Sequence, residues 1–169
     1  APNYVSTGGF YDWSNAGRDG DLQYADTAEA SGEATATWLF ADLAPGKYRV
    51  STTWAVGPSR PSDAPYTVEN NDGVVATVAI DQSQAPDDLT SEGSLWEDLV
   101  EVNVFESSGG FIKVILANTV NDRWVIADAV RVEKIGDIEW VPEIEVKLGS
   151  ENLTDNETED LGATVEGSP

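Results

Sequence analysis

Apolar and polar residues alternate over short stretches of this chain, and Gly, Pro, Asn and Asp interrupt the alternation every few residues. A period of two belongs to an extended strand with one buried face, an amphipathic helix repeats at about 3.6, and no stretch carries a convincing helical period. Thr35 to Phe40 reads as a strand, and Ala44-Pro45-Gly46 turns it into another at Tyr48 to Val56, the signature of a hairpin. The segment Gly57-Pro58-Ser59-Arg60-Pro61-Ser62-Asp63-Ala64-Pro65 follows. Its prolines cannot donate to a sheet ladder, so it is expected to be an exposed loop. Tyr66 to Glu69 and Val74 to Ile80 flank Asn70-Asn71-Asp72-Gly73, which predicts a second hairpin before a Pro- and Asp-rich loop over Asp81 to Ser94. Leu99 to Phe105, Phe111 to Ala117 and Trp124 to Glu133 complete the series. About eight strands at this spacing predict an all-β fold, an antiparallel jelly-roll-like β-sandwich over residues 1–135.

After Ile135 the pattern changes. Residues 136–169 hold ten acidic residues, one lysine and few large apolar groups apart from Trp140, too little for a core of their own. Glu143-Ile144-Glu145-Val146-Lys147-Leu148 alternates at period two, so it is expected to be a strand that pairs with something, either a following domain or a neighbouring copy of the chain.

Charge narrows the function. The chain carries 31 acidic against 9 basic residues, a formal net charge of -22, which repels phosphate backbones and anionic lipid surfaces. Nucleic acid and membrane insertion are therefore not expected, and no apolar run is long enough for a spanning helix. Cys, Met and His are absent, which excludes disulfides, thiol nucleophiles and the usual zinc and haem sites. The start Ala1-Pro2-Asn3 lacks the basic and apolar regions of a signal peptide and fits cleavage after a small-residue site, although an excised fragment would look the same; the chain is expected to be secreted and extracellular.

The series Thr37-Trp38-Leu39-Phe40, Leu43-Ala44-Pro45-Gly46-Lys47-Tyr48-Arg49-Val50, Trp54, Ala64-Pro65-Tyr66-Thr67-Val68, Ile80-Asp81-Gln82, Gln84-Ala85-Pro86, Trp96 and Val125-Ile126-Ala127-Asp128-Ala129-Val130-Arg131-Val132 resembles the golvesin C-terminal or xanthan-lyase-type carbohydrate-binding domain. The resemblance implies a secreted β-sandwich from large bacterial surface or exported proteins. Gly8-Gly9-Phe10-Tyr11-Asp12-Trp13 stands where such a domain often has a plain linker, and is read as an added strand or a ligand-facing aromatic group. Pro142 to Val146, Asn152 to Asn156 and Leu161 to Pro169 resemble the opening strands of choice-of-anchor and Hydin-type immunoglobulin-like repeats.

Most of the large aromatics, Trp38, Tyr48, Trp54, Trp96 and Trp124, sit in or beside strands and are expected to fill the space between sheets. Trp54 and Tyr66 flank the proline-rich loop and are the candidates for stacking on a sugar, with Arg60 as a donor to hydroxyls or a uronate carboxylate. Asp81 and Gln82 open the next loop and either cap its backbone or face a ligand. Asp128 falls inside an apolar run and needs a partner, Arg131 or a backbone N–H. Asp87, Asp88, Glu92, Glu97 and Asp98 in one region, and Asp12, Asp19, Asp21 and Asp26 in another, make calcium a candidate ligand, although no EF-hand spacing is present and the core is not expected to depend on it. Asn152-Leu153-Thr154 and Asn156-Glu157-Thr158 fit the glycosylation pattern.

No nucleophile–base pair is legible, and abundant carboxylates do not by themselves make a glycosidase, so no enzyme is expected. The leading expectation is a non-catalytic structural or adhesive subunit of a bacterial cell-surface or fibre assembly, joined to its copies or to neighbouring repeats through Glu143 to Leu148. The alternative is a carbohydrate-binding module for a polysaccharide.

Overall fold

The hydrophobic alternation is converted almost wholly into strands. The computed structural model describes residues 2–105, 109–120, 123–138, 146–148 and 151–153. Its first unit, Ala1–Ile138, runs β1 (Asn3–Thr7), β2 (Tyr11–Ser14), β3 (Asp21–Ala25), a single helical turn α1 (Ala28–Ser31), β4 (Thr35–Leu43), β5 (Gly46–Thr53), β6 (Ala64–Asn70), β7 (Gly73–Ile80), β8 (Leu89–Ser91), β9 (Ser94–Val104), β10 (Gly110–Ala117), β11 (Val125–Ala127) and β12 (Ala129–Gly136). The strands form a five-stranded sheet ordered β1-β4-β10-β6-β7, a four-stranded sheet ordered β12-β5-β9-β8 and a three-stranded sheet ordered β11-β3-β2. Every pairing is antiparallel.

The two larger sheets bury their apolar faces against each other. β10 alternates cleanly, with Ile112, Val114 and Leu116 inside, and β6 matches it with Ala64, Tyr66 and Val68. Tyr48 and Val50 of β5, Leu99, Val102 and Val104 of β9, and Val130 of β12 belong to the same core. The β5–β9 register slips between Val50 and Ser51, and this β-bulge breaks the period-two pattern.

Asn70-Asn71-Asp72-Gly73 closes the predicted hairpin, with Asn70 opposite Gly73. Two other expectations are corrected. β4 and β5 do not form a hairpin: Ala44-Pro45-Gly46 carries the chain from the five-stranded to the four-stranded sheet, because the apolar faces of both strands, Trp38 on one and Val50 on the other, are satisfied only across the core. Trp124 to Glu133 is not one strand either. It divides at Asp128, with β11 in the small sheet and β12 in the four-stranded one.

A buried asparagine fixes the connection into β4. Asn118 Oδ1 accepts the Ala34 N–H at 2.8 Å, and its Nδ2 donates to the carbonyls of Asp26 and Gly32, both at 2.9 Å.

In the second unit, Glu139–Pro169, β13 (Val146–Leu148) pairs antiparallel with β14 (Glu151–Leu153), Lys147 facing Asn152. Val146, Lys147 and Leu148 of the expected assembly strand therefore find a partner within the chain. Glu143, Ile144 and Glu145 lie outside the described residues.

Candidate functional site

The segment before Thr35, read from sequence only as an added strand or an aromatic group, supplies both. β2 and β3 pair with Tyr11 opposite Tyr24, Asp12 opposite Gln23 and Trp13 opposite Leu22. Opposed residues share a face, so one side of this ribbon is aromatic and the other polar.

The polar side opens into a cavity of about 650 Å³, a volume in the range of small-ligand sites. Tyr4 and Trp38 form an apolar wall with ring centroids 5.2 Å apart, and Trp13 stands at the rim. The Tyr4 hydroxyl donates to Gln23 Oε1 at 2.5 Å, and Gln23 Nε2 donates to Asp12 Oδ1 at 2.7 Å, a relay that holds the amide and carboxylate in one orientation. Burial pushes the Tyr4 hydroxyl up to about 12, partly offset by the Ser6 side chain and reinforced by Asp12, so it stays protonated and remains a donor.

Arg18, Asp19, Asp21 and Asp128 are the charged residues that line it besides Asp12. Arg18 is already engaged: its guanidinium meets Asp19 at 3.2 Å and Glu92 at 2.5 Å and lies over the Trp96 ring at 5.3 Å. Its backbone N–H donates to both Asp128 oxygens, at 3.1 and 3.0 Å. Asp128 thus finds the backbone partner its position required, while Arg131 pairs with Glu133 at 2.8 Å. The approach of Gly17 makes this geometry possible. Its φ of 77° is the left-handed region, and a Cβ there would come within 2.6 Å of Asp128 Oδ2.

Burial raises the Asp128 carboxyl to about 7; the Arg18 N–H opposes that shift and the neighbouring Asp21 charge adds to it. A carboxyl whose folded pKa lies above its unfolded value stabilises the fold fully below about 3.8, and that contribution is lost as pH rises through about 7. Asp128→Asn, which keeps an acceptor for Arg18, is therefore expected to flatten the decline of Tm between pH 4 and pH 8 and to raise Tm at pH 8. Because part of the carboxylate remains in water, the gain should be about a few degrees. Thermal melts of both proteins across this range test it, and parallel pH profiles would refute it.

The aromatic side of the small sheet is open. Tyr11, Trp13 and Trp124 are 57%, 41% and 45% exposed. They surround Tyr24, with centroid distances of 6.0, 6.1 and 5.9 Å respectively. Trp124 was expected in the core and stands outside it because it precedes β11 instead of lying within a strand of the sandwich.

The residues singled out from sequence have other contacts. Tyr66 and Gln82 are fully buried and bonded to each other, so neither offers a surface to a ligand; burial and the low polarity of the core raise the Tyr66 hydroxyl. Trp54 is buried, its Nε1–H donates to the Gln84 carbonyl at 2.9 Å, and it lines a smaller cavity of about 360 Å³ that also meets Arg18 and Asp128. Arg60 is buried and bonded to the Ala55 carbonyl at 3.3 Å and Ser59 Oγ at 3.0 Å, so its fork is not free for a uronate. It reaches the site indirectly, under the Trp13 ring at 5.4 Å. Asp81 accepts from the Ser83 N–H at 2.9 Å and Ser83 Oγ at 2.6 Å, closing the turn at the loop entrance. Tyr4, Asp12, Trp13 and Gln23 line the larger cavity instead, and Trp124 lies outside it on the aromatic side of the small sheet. The sequence signal for Asp12 and Trp13 was the aromatic cluster at Phe10-Tyr11-Asp12-Trp13; Tyr4 and Gln23 carried none.

Among the described residues, the carboxylates of Asp87, Asp88 and Glu97 converge, with one oxygen of each within 4.8 Å of the others. Burial raises the Glu97 carboxyl, and the negative charges of Asp88, Asp87 and Asp98 add to this. Glu92 and Asp98 are directed elsewhere, Glu92 to Arg18 and Asp98 Oδ1 to the Ser51 hydroxyl at 2.7 Å.

Comparison with known proteins places this architecture. A xanthan lyase from Paenibacillus is similar over 78% of this chain and 12% of its own, with a TM-score of 0.60 and 23% identity. A family 35 carbohydrate-binding module from an environmental isolate is similar over 80% of this chain and 90% of its own, with a TM-score of 0.52 and 16% identity. Both likenesses are of fold. No curated protein matches the chain. The model of the golvesin C-terminal domain matches residues 2–134, and with the strand order and core described above, the chain belongs to the golvesin C-terminal domain family.

Proposed function

We propose that this module binds an extracellular polysaccharide without cleaving it. The observation that carries the reading is the cavity beside β2 and β3, which is lined both by the Tyr4 and Trp38 rings and by the hydrogen-bonded Asp12–Gln23 pair. Aromatic rings accept the C–H faces of sugars, and a fixed amide and carboxylate bond their hydroxyls. The β-sandwich shared with a carbohydrate-binding module supports it.

The ligand class follows from charge. Asp12, Asp19, Asp21 and Asp128 line the cavity, and its cation, Arg18, is already paired with Asp19 and Glu92. A neutral glycan enters without an uncompensated charge, whereas a polyuronate meets repulsion. On this reading the carbohydrate-binding alternative takes the place of the structural or adhesive fibre subunit. Pairing of Val146–Leu148 with Glu151–Leu153 gives the expected assembly strand a partner without a second copy.

Titration calorimetry against a panel of neutral gluco-, manno- and galacto-oligosaccharides is expected to give saturable binding. Asp12→Ala and Gln23→Ala are each expected to weaken it about tenfold. Silence across the panel, or unchanged affinity in both variants, would overturn the reading.

A further inference from the structure

We infer that the open aromatic face of the β11-β3-β2 sheet is a second contact surface for the same glycan, so that the module recognises an extended chain and not an isolated sugar. This rests on the glycan-binding reading of the cavity.

The argument begins with continuity. Trp13 lines the cavity and also contacts Tyr24 at the centre of the aromatic face. A chain that leaves the cavity past Trp13 and rounds β2, the edge strand of the small sheet, therefore meets Tyr24, Tyr11 and Trp124. The strand order places Tyr11 and Trp13 on β2, Tyr24 on the central β3, and Trp124 just ahead of β11. The rings extend across two interstrand spacings, about 10 Å, which is room for about two sugar units.

The platform is also held in place. Arg60 lies under Trp13, and the Trp124 N–H donates to the Ser59 carbonyl at 3.3 Å. Arg123 Nη1 bonds the Pro58 carbonyl. The proline-rich loop thus holds the Trp13 ring and the Trp124 backbone, which lowers the freedom lost when a chain docks there. Charge complementarity favours a neutral glycan: the four rings bring no charge of their own, in a chain of net charge -22.

The test is a length series of the neutral oligosaccharide that binds best, from disaccharide to octasaccharide, titrated against the full chain and against Trp124→Ala and Tyr11→Ala. Both substituted rings are exposed, and unchanged circular dichroism and Tm would verify each fold. In the unmodified protein, affinity is expected to rise about tenfold or more once the oligosaccharide outgrows the cavity. Both variants should abolish most of that rise and leave disaccharide affinity unchanged. A flat series with intact disaccharide binding would overturn the second surface and leave the cavity reading standing. A rise that survives both substitutions would overturn it as well. Failure of every oligosaccharide to bind would remove the cavity reading, and this inference with it.

Discussion

Replacing Gln82 by alanine is expected to destabilise the first unit by about 4 kcal/mol, although this residue touches no candidate ligand surface. Its side chain is fully buried and makes three bonds. The Ile126 N–H donates to Oε1 at 2.8 Å, Nε2 donates to the Ile126 carbonyl at 2.7 Å, and Nε2 also reaches the Tyr66 hydroxyl at 3.2 Å. Ile126 sits in the short strand β11, so Gln82 serves as a surrogate strand edge for its backbone. Truncation strands two buried backbone groups at about 1–3 kcal/mol each and leaves a void. Chemical denaturation of both proteins measures the difference. A loss below about 1 kcal/mol would mean that water replaces the amide and that this network does not anchor β11.

Trp13→Ala carries the largest expected effect on binding, a loss of about hundredfold in affinity for a long neutral oligosaccharide. Trp13 borders the cavity, contacts Tyr24 and covers Arg60, so its removal damages both contact surfaces and leaves a buried guanidinium without its ring. Its exposure limits the cost in stability to about 1 kcal/mol. Calorimetric titration alongside a thermal melt separates the two effects. A loss of less than about threefold in a folded variant would place the glycan elsewhere on the molecule.

Much of the sandwich is legible because burial on one face imposes a period of two. Tyr66 to Glu69, Val74 to Ile80 and Phe111 to Ala117 announce β6, β7 and β10 through β-branched residues and intervening turns. The first strands are harder to see: β1, β2 and β3 are short and rich in polar residues, β1 pairs with the distant β4, and the β2–β3 ribbon joins the small sheet only through β11. The binding candidates were displaced for a related reason. Alternation tells which residues share a face but not which face is covered, so Tyr66, beside an exposed loop in sequence, is sealed between sheets, while Trp124, in an apolar run, stands in solvent.

What the sequence by itself determined is the all-β class, the turn at Asn70 to Gly73, the acidic character that disfavours polyanions, and the need of Asp128 for a partner. These follow from local periodicity, backbone restrictions and charge, none of which requires knowing what lies across the core. Tertiary structure alone decided that the chain crosses between sheets at Ala44-Pro45-Gly46, that Asp128 marks a corner, and that Tyr4, Asp12, Trp13 and Gln23 come together beside Arg18. Those outcomes depend on contacts between residues far apart in the chain, Arg18 with Asp128 above all, and such contacts are selected by packing of whole sheets and leave no periodic trace along the strand.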